Sequence, residues 1–465
     1  MIKYLPDSEL DKSPLSGFLC ALVGDESDMM RSDKPRCLFV NPPIYDFSAY
    51  DFWLRPLGLL TVAGMLRGQA ELMLYDFLDR RHPLAVSRDT DKDPTGRGKF
   101  IERRIDKPAS LKNIPRHYKR FGLPAEHFVQ FLRDNAQFDY VFIQSVMTYW
   151  YPGVREVIDA VRKAVPRAKI VVGGFYATAC PDHAQRLGAD VVIQGDNLEP
   201  MWEALGLTPP DEYYPPAWEL YPVLGTGAIK LTQGCPFRCS YCYVPVRGER
   251  FAARPLDEVM RDYQTMRQVG VSNVAFYDDA LLYQPESILI PFLDAAERQG
   301  GGVHFHTPNG MHARLIDSEM ARRLVRAGMK TFYLGYESVN AEFQKQTGSK
   351  LTVGDLAAAV EALRSAGAAA DSIIAYEMLG HPLSDMQHVE ESMRYASSLG
   401  IRVMLSEFSP IPGTPDGELC RKIVDLDEPL CHNKSAFPIM LLGWDKVVYY
   451  KNLCVELNQK NQKSS

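Results

Sequence analysis

The feature that most constrains the fold is a rhythm. Short apolar runs alternate with stretches of about a dozen residues at helical period, in two separate series. In the first series Cys37–Asn41 reads as a buried strand stopped by Pro42-Pro43, and Pro56–Gly68 as a helix closed by Gly68. Glu71–Tyr75, 139–145, 169–174 and Asp190–Ile193 read as further strands, with a helix over Gly153–Val165. Strands separated by helices pair in parallel through right-handed crossovers, so the first half is expected to be a Rossmann-like, doubly wound parallel sheet. The second series places strands at Ala228–Gln233, Val274–Asp278, Val303–Thr307, Thr331–Tyr336, Ser372–Met378 and Arg402–Phe408. Helical patterns lie between them at Leu256–Val269, Pro285–Arg298, Asp317–Ala327, Val353–Ala366 and Gln387–Leu399. Six βα units without an order reversal suit a partial (β/α)6 barrel better than an open sheet. The fold class is therefore α/β.

Three stretches break the rhythm and give the expected boundaries. Residues 1–35 are a polar extension with a short apolar patch at Phe18–Val23, ahead of a first domain over 36–206. Residues 207–226 carry five prolines and no period, which predicts a linker before a barrel over 227–415; residues 416–465 form an extension with a polar end. Within the first domain, residues 80–120 hold thirteen Lys/Arg against five Asp/Glu. They read either as a basic lid that meets an anionic substrate or RNA, or as a solvated excursion. Aromatics do not interleave with the charges, so nucleic acid is not an expected partner.

Composition narrows the class. Hydrophobic residues make up 46% and charged residues 24% of the chain, ordinary for a globular protein. No stretch approaches 18 uninterrupted apolar residues, so no membrane partner is expected, and the charged start MIKYLPDSELDKSPL gives no signal peptide. The net charge of −6 offers no global attraction to nucleic acid. Nine cysteines without a secretory leader point to a reducing cytoplasmic setting, where clustered cysteines are more often metal ligands than disulfides.

Three of the nine form Cys235-Pro-Phe-Arg-Cys239-Ser-Tyr-Cys242, just after the first strand of the second series. A structural zinc site wants four closed ligands, commonly in two separated knuckles, and no second knuckle follows. A four-iron cluster is held at its corners by cysteines, and three of them leave one iron open to bind and reduce another molecule. The remaining cysteines, at 20, 37, 180, 420, 431 and 454, are scattered; Cys420, Cys431 and Cys454 are candidates for an auxiliary cluster, though free thiols are the simpler reading.

The spacing of the triplet, Tyr241 before its third cysteine and the lead-in Thr232-Gln233-Gly234, resemble the radical S-adenosylmethionine (SAM) superfamily. So do Phe276-Tyr277-Asp278-Asp279 at the end of the second strand and Gly335-Tyr336-Glu337-Ser338 on the fourth. Ser409-Pro410-Ile411-Pro412-Gly413-Thr414-Pro415 resembles the proline-glycine motif after the sixth. The resemblance implies a radical SAM barrel in which Cys235, Cys239 and Cys242 are the catalytic ligands of a [4Fe-4S] cluster. Its open iron takes the amino and carboxylate groups of SAM, whose reductive cleavage gives methionine and a 5′-deoxyadenosyl radical. It further implies Tyr241 at the adenine, chiefly through its backbone, Asp278 or Asp279 at the amino group, and Glu337 beside Ser338 at the ribose or amino group. An electron donor such as flavodoxin or ferredoxin is an implied partner. The fifth strand departs from the pattern: Gly380 and Pro382 match a Gly-x-Pro ending, but Glu377 and His381 put polar groups near the mouth, as substrate contacts, acid/base groups or structural side chains. His304 and His306 share a strand face and read as substrate contacts or hydrogen-bonded packing.

The first half resembles the cobalamin-binding domain found ahead of such barrels. The residues concerned are Asn41-Pro42-Pro43, Pro56-Leu57-Gly58-Leu59, Asp76, Thr148–Gly153, Gly173–Thr178 and Gly195, near the carboxyl ends of the strands where open α/β sheets bind ligands. The implied cobalamin contacts are Pro42, Ser145, Thr148, Gly173, Gly174 and Gly195. No Asp-x-His-x-x-Gly is present, so the resemblance implies cobalamin without a histidine below the cobalt, or the fold without the cofactor. The expected activity is cobalamin-dependent C-methylation of a small-molecule or peptide substrate: the radical abstracts hydrogen and methylcobalamin supplies the methyl. The alternative is a cobalamin-free radical SAM enzyme performing rearrangement, ring formation or methylthio transfer, with the first domain as a substrate module. A cobalamin-binding sensor with structural cysteines is a third class, disfavoured by the intact triplet.

Overall fold

The computed structural model describes residues 34–85, 93–348 and 351–464; the patch Phe18–Val23 and Cys20 lie outside them. In the first half, β1 (Arg36–Asn41), β2 (Glu71–Asp76), β3 (Tyr140–Gln144), β4 (Lys169–Gly173) and β5 (Val191–Val192) form one parallel sheet. Their order is β2-β1-β3-β4-β5. Cys37, Leu38, Phe39 and Val40 are fully buried on both faces of β1, which is why the run reads as continuously apolar. The order reverses between β1 and β3.

In the second half, β6 (Thr226–Ile229), β7 (Asn273–Phe276), β8 (His304–His306), β9 (Phe332–Glu337), β10 (Ile373–Leu379) and β11 (Arg402–Glu407) run parallel in chain order. Two isolated parallel bridges, Phe305–Met329 and Met311–Leu334, carry the order from β8 to β9. Among the described residues no pairing joins β6 to β11, so the barrel is partial and open on one flank. The intervening helices start at polar caps: Asp317 accepts from Met320 N–H, Asp385 accepts from Gln387 N–H, and Thr352 and Asp355 form a reciprocal box.

Four sequence expectations change here. The first barrel strand stops at Ile229 rather than Gln233, because the Asp278 carboxylate captures the N–H groups of Leu231 and Thr232 and ends the ladder. The basic segment is neither a free arm nor wholly solvated. Glu102–Ile105 and Tyr118–Phe121 form an antiparallel pair extended by Ile44–Asp46. Three of its cations also turn inward, Arg120 to Glu156 (2.6 Å), Arg80 to Asp51 (2.9 Å) and Arg97 to Asp93 (3.1 Å). The proline-rich stretch is not a loose linker: Ala217 N–H donates to Leu60 O, Trp218 is fully buried, and Tyr221 donates to Asp76 (2.6 Å). Finally, the extension ends in a helix, Trp444–Ser464, laid along β11. Asn458 both accepts from Val403 N–H and donates to Val403 O (2.9 Å each), and Asn461 donates to Ile401 O (2.8 Å). These side chains satisfy backbone groups on the last strand's edge.

The first domain also enters the barrel. Trp53, fully buried at φ +58°, lies among Ala275, Tyr333, Ile374, Tyr376 and Met404, and stacks on His306 with ring centroids 4.3 Å apart. Its indole N–H donates to Thr95 O (2.6 Å), Tyr277 donates to its carbonyl (2.5 Å), and Arg97 lies over its ring and donates to Tyr333 (3.0 Å). Separately from this cluster, one hydrophobic core runs from the first sheet through the barrel to the last helix.

Candidate active site at the cysteine loop

The loop after β6 is positioned from three sides. From β7, Asp278 Oδ1 accepts from Leu231 N–H (2.9 Å), Thr232 N–H (2.7 Å) and the Thr232 hydroxyl (2.7 Å). Burial pushes its carboxyl up to about 6 despite those bonds, and Oδ2 has no partner. From the helix after β9, Thr347 O accepts from Ser240 N–H (3.2 Å), and Gly348 packs on Cys239 so closely that a Cβ there would stand 3.1 Å from its sulfur. From the loop after β11, Asp416 Oδ2 accepts from the Ser240 hydroxyl at 2.5 Å.

Cys239 is buried, Cys235 and Cys242 are half-buried, and all three are unbridged. Burial pushes the Cys235 thiol up to about 11, with Cys242 and Cys239 as neighbours adding to it. Among the described residues no three His, Cys, Asp or Glu side chains converge on a point suited to one metal ion. The donor set is nevertheless all thiol, which suits iron–sulfur corners, whose ligands go to different irons rather than one centre. Among the described residues Cys420, Cys431 and Cys454 are not brought together. Cys420 packs with Phe343, Met378, Phe408 and Phe437, Cys431 is buried elsewhere, and Cys454 Sγ lies against Val403 O.

Carboxylates rim the loop. Tyr241 donates to Glu337 Oε1 (3.1 Å), and burial, then Glu337, raises its phenol well above the ordinary value. Glu337 itself sits at φ +68°, just past a register shift in β9, a left-handed backbone that favours glycine. Asp279 lies 3.5 Å from both Lys230 Nζ and Arg247 Nη2, which flank the cysteines. Ser338 is buried, and its hydroxyl accepts from Asn340 N–H (3.1 Å) at the turn into the next helix. Glu377 is fully buried with neither oxygen bonded, and burial, then Glu337, raises its carboxyl well above the ordinary value. His381 is buried and bonded to Asp416 (2.8 Å), which makes it structural; hydrogen bonds from His381 and Ser240 hold the Asp416 carboxyl below the usual range although burial opposes them. His306 packs between Asn273 Oδ1 (2.9 Å) and Thr331 Oγ1 (3.2 Å), and His304 points to solvent.

The carboxyl edge of the first sheet divides into a covered and an open part. Pro42 is buried beside Gly153, at the start of the helix after β3 (Tyr151–Ala164). Ser145 is buried with its hydroxyl on Met147 O (3.1 Å), and the Thr148 hydroxyl is held by His432 Nδ1 (2.9 Å). Gly174 and Gly195 are exposed and Gly173 half-exposed, and a Cβ built on Gly195 would meet nothing within 4 Å. Thr178 Oγ1 ties this open part together, accepting from Gly195 N–H (2.9 Å) and donating to Gly174 O (3.0 Å). Gly195 has open space above it, whereas a Cβ on Gly174 would stand 2.7 Å from Ser145 O, so both positions favour glycine and the exposed Gly195 edge is the part that fits a large flat ring. The patch also touches the cysteine loop: Tyr243, next to Cys242, donates to Thr178 O (3.4 Å), and its ring meets Phe175 edge-on at 5.1 Å. Thr178 lies in the Gly173–Thr178 run already noted in the sequence, whereas Tyr243, Ser240 and Asp416 are site residues not singled out there; of these only Ser240, by its place between two cysteines, carried a local signal.

Comparison with known proteins finds a family for each half of the chain. Residues 229–396 match the Radical SAM superfamily and residues 116–204 match the B12 binding domain. The hopanoid C-3 methylase of Methylococcus capsulatus is 24% identical over 348 residues, covering 66% of this chain and 65% of that protein. The threonylcarbamoyladenosine tRNA methylthiotransferase MtaB of Thermotoga maritima is 23% identical over 282 residues, 56% of this chain and 64% of that protein. The chain therefore spans less than two thirds of the length of either relative. Among solved structures, the radical SAM methyltransferase TsrM of Kitasatospora setae, with cobalamin and a [4Fe-4S] cluster bound, superposes with a TM-score of 0.61 at 15% identity, over 84% of this chain and 78% of that one. The cobalamin-dependent radical SAM enzyme OxsB, with aqua-cobalamin and SAM bound, gives 0.54 at 11% identity, over 90% and 61%. Among the described residues no helix is long and apolar enough to cross a membrane.

Proposed function

We propose that this chain, which carries a radical SAM domain behind a B12-binding domain, is a cobalamin-dependent radical SAM methyltransferase acting on an unactivated carbon of a small molecule or peptide. The observation that carries the reading is the contact of Tyr243 with Thr178 and Phe175, which sets the open glycine edge of one domain against the cysteine loop of the other. When bound, the cluster supplies an electron to SAM and cobalamin supplies a methyl group. Cys235, Cys239 and Cys242 hold the cluster; Asp279, Glu337 and Tyr241 rim the place where SAM binds. Asp278, with Oδ1 committed to Leu231 and Thr232, holds the loop in place. Gly173, Gly174, Thr178 and Gly195 receive the corrin, while the buried Pro42, Ser145 and Thr148 support the loops beneath it. The aromatic barrel interior and the Trp53 plug exclude water from the reacting groups. The reading requires a one-electron donor of the flavodoxin or ferredoxin kind and suits the reducing cytoplasm.

The test is uptake of hydroxocobalamin by the purified protein, followed by its visible spectrum. About one equivalent per chain is expected, with loss of uptake in a Gly195→Trp protein that keeps its far-ultraviolet circular dichroism, although the φ of +58° there costs that variant some stability. No uptake would sink the cobalamin half and leave a cobalamin-free radical SAM enzyme, a reading favoured by the similarity to a methylthiotransferase.

A further inference from the structure

One buried hydrogen-bond chain ends on the cysteine loop without belonging to any cofactor contact. Leu383 N–H donates to His381 Nδ1 (3.2 Å), which leaves the ring proton on Nε2, and Nε2 donates to Asp416 Oδ2 (2.8 Å). The same oxygen accepts from the Ser240 hydroxyl (2.5 Å), and Asp416 N–H returns a bond to Ser240 O (3.2 Å). His381 and Asp416 are 2% and 4% exposed, so water does not screen the chain. It joins the end of β10, the loop after β11 and the residue between Cys239 and Cys242. A carboxylate buried at that depth is costly unless hydrogen-bonded, and here both bonds to Oδ2 come from groups fixed by packing.

The geometry points to Asp416 as a positioning residue that clamps the cysteine loop and lowers the reduction potential of the cluster held there. This rests on the cluster reading above. Reduction would add negative charge to the cluster, so a fixed carboxylate bonded to Ser240, the residue next to Cys239, disfavours the reduced form. Hydrogen bonding, charge and exposure around the cysteine ligands are what set such potentials. Ser240 passes the constraint to the backbone that carries Cys239 and Cys242, and His381 keeps the carboxylate oriented toward it.

The test uses the full chain, reconstituted anaerobically with iron and sulfide, as wild type, Asp416→Asn, Asp416→Glu and Ser240→Ala. In Asp416→Asn the amide oxygen takes the place of Oδ2 and accepts both bonds, so only the charge is lost. The readouts are iron and sulfide content, far-ultraviolet circular dichroism, the paramagnetic resonance of the reduced cluster and its midpoint potential. Asp416→Asn is expected to keep its iron and fold while its potential rises. Asp416→Glu returns it toward wild type, and Ser240→Ala, which keeps the charge, shifts it less while changing the resonance. A full cluster at the wild-type potential in Asp416→Asn would overturn the inference. So would a folded Asp416→Asn protein unable to take iron, which would give the carboxylate an assembly role alone. A wild type that takes no iron would instead overturn the cluster reading itself.

Discussion

At the carboxyl end of the barrel strands, polar side chains from three loops converge on the cysteine segment, and several groups stay half-exposed. At the other end an indole from the first domain fills the space between the strands, stacked on a histidine and covered by an arginine. The first arrangement fixes a loop through a few directional bonds and leaves room beside it; the second fixes a domain through the close packing of one buried indole. The first domain is therefore anchored where the barrel is filled and presents its open glycine edge where the barrel is polar. The positive φ of Trp53 and of Glu337 places one strained residue at each end, a wedge in one case and a rim carboxylate in the other.

Breaking the packed end should have the largest effect. Trp53→Ala is expected to lower unfolding free energy by about 3–5 kcal/mol, the usual cost of emptying a buried aromatic site, measured by chemical denaturation. Iron uptake by the folded fraction should be unchanged, which would separate the two ends.

Protonation sharpens the contrast, because the two ends respond to acid in opposite senses. Burial raises Asp278 from 3.8 to about 6, so the folded state holds its proton more tightly than the unfolded one. That contribution is full below pH 3.8 and is lost as the pH rises through about 6. Asp278→Asn, which cannot ionise, should gain on wild type by about 3 kcal/mol between acid and neutral pH. His306 is lowered from 6.5 to about 3, by burial first and then by Arg97. Its contribution is full above pH 6.5 and is lost as the pH falls toward 3, so His306→Gln should gain on wild type in acid. Denaturation of both variants at several pH values checks the pair, and parallel trends would contradict the assignment.

Smaller effects test the borders. Asn458→Ala strips partners from Val403 N–H and C=O on the last strand and should cost about 2 kcal/mol in denaturation. Tyr243→Phe removes one 3.4 Å bond between the domains and should cost less than about 1 kcal/mol, with hydroxocobalamin uptake kept.

What could be read in the sequence follows from how local each feature is. The six barrel strands and the first sheet were legible because each carries its own apolar run, and the triplet because its three thiols fall within one loop. The clamp was not legible: Ser240 and Asp416 are 176 residues apart, and neither residue type announces the other. The Trp53 wedge escaped for the same reason, since Arg55 beside it meets Tyr277 across 222 positions. Thr148 reads as an open loop hydroxyl until His432, 284 residues on, covers it. The proline-rich stretch reads as a linker because its period is lost, yet Tyr221 bonds Asp76 in one domain, Tyr213 meets Arg254 in the other and Trp218 is buried between.

The most direct test of the account is SAM cleavage by the anaerobically reconstituted protein under reduction, with wild type and Cys239→Ala compared by mass spectrometry. The account predicts 5′-deoxyadenosine, with S-adenosylhomocysteine when cobalamin is supplied, from wild type, and neither from the variant. If neither product forms, or if Cys239→Ala matches wild type, the cysteine loop is not a radical SAM centre.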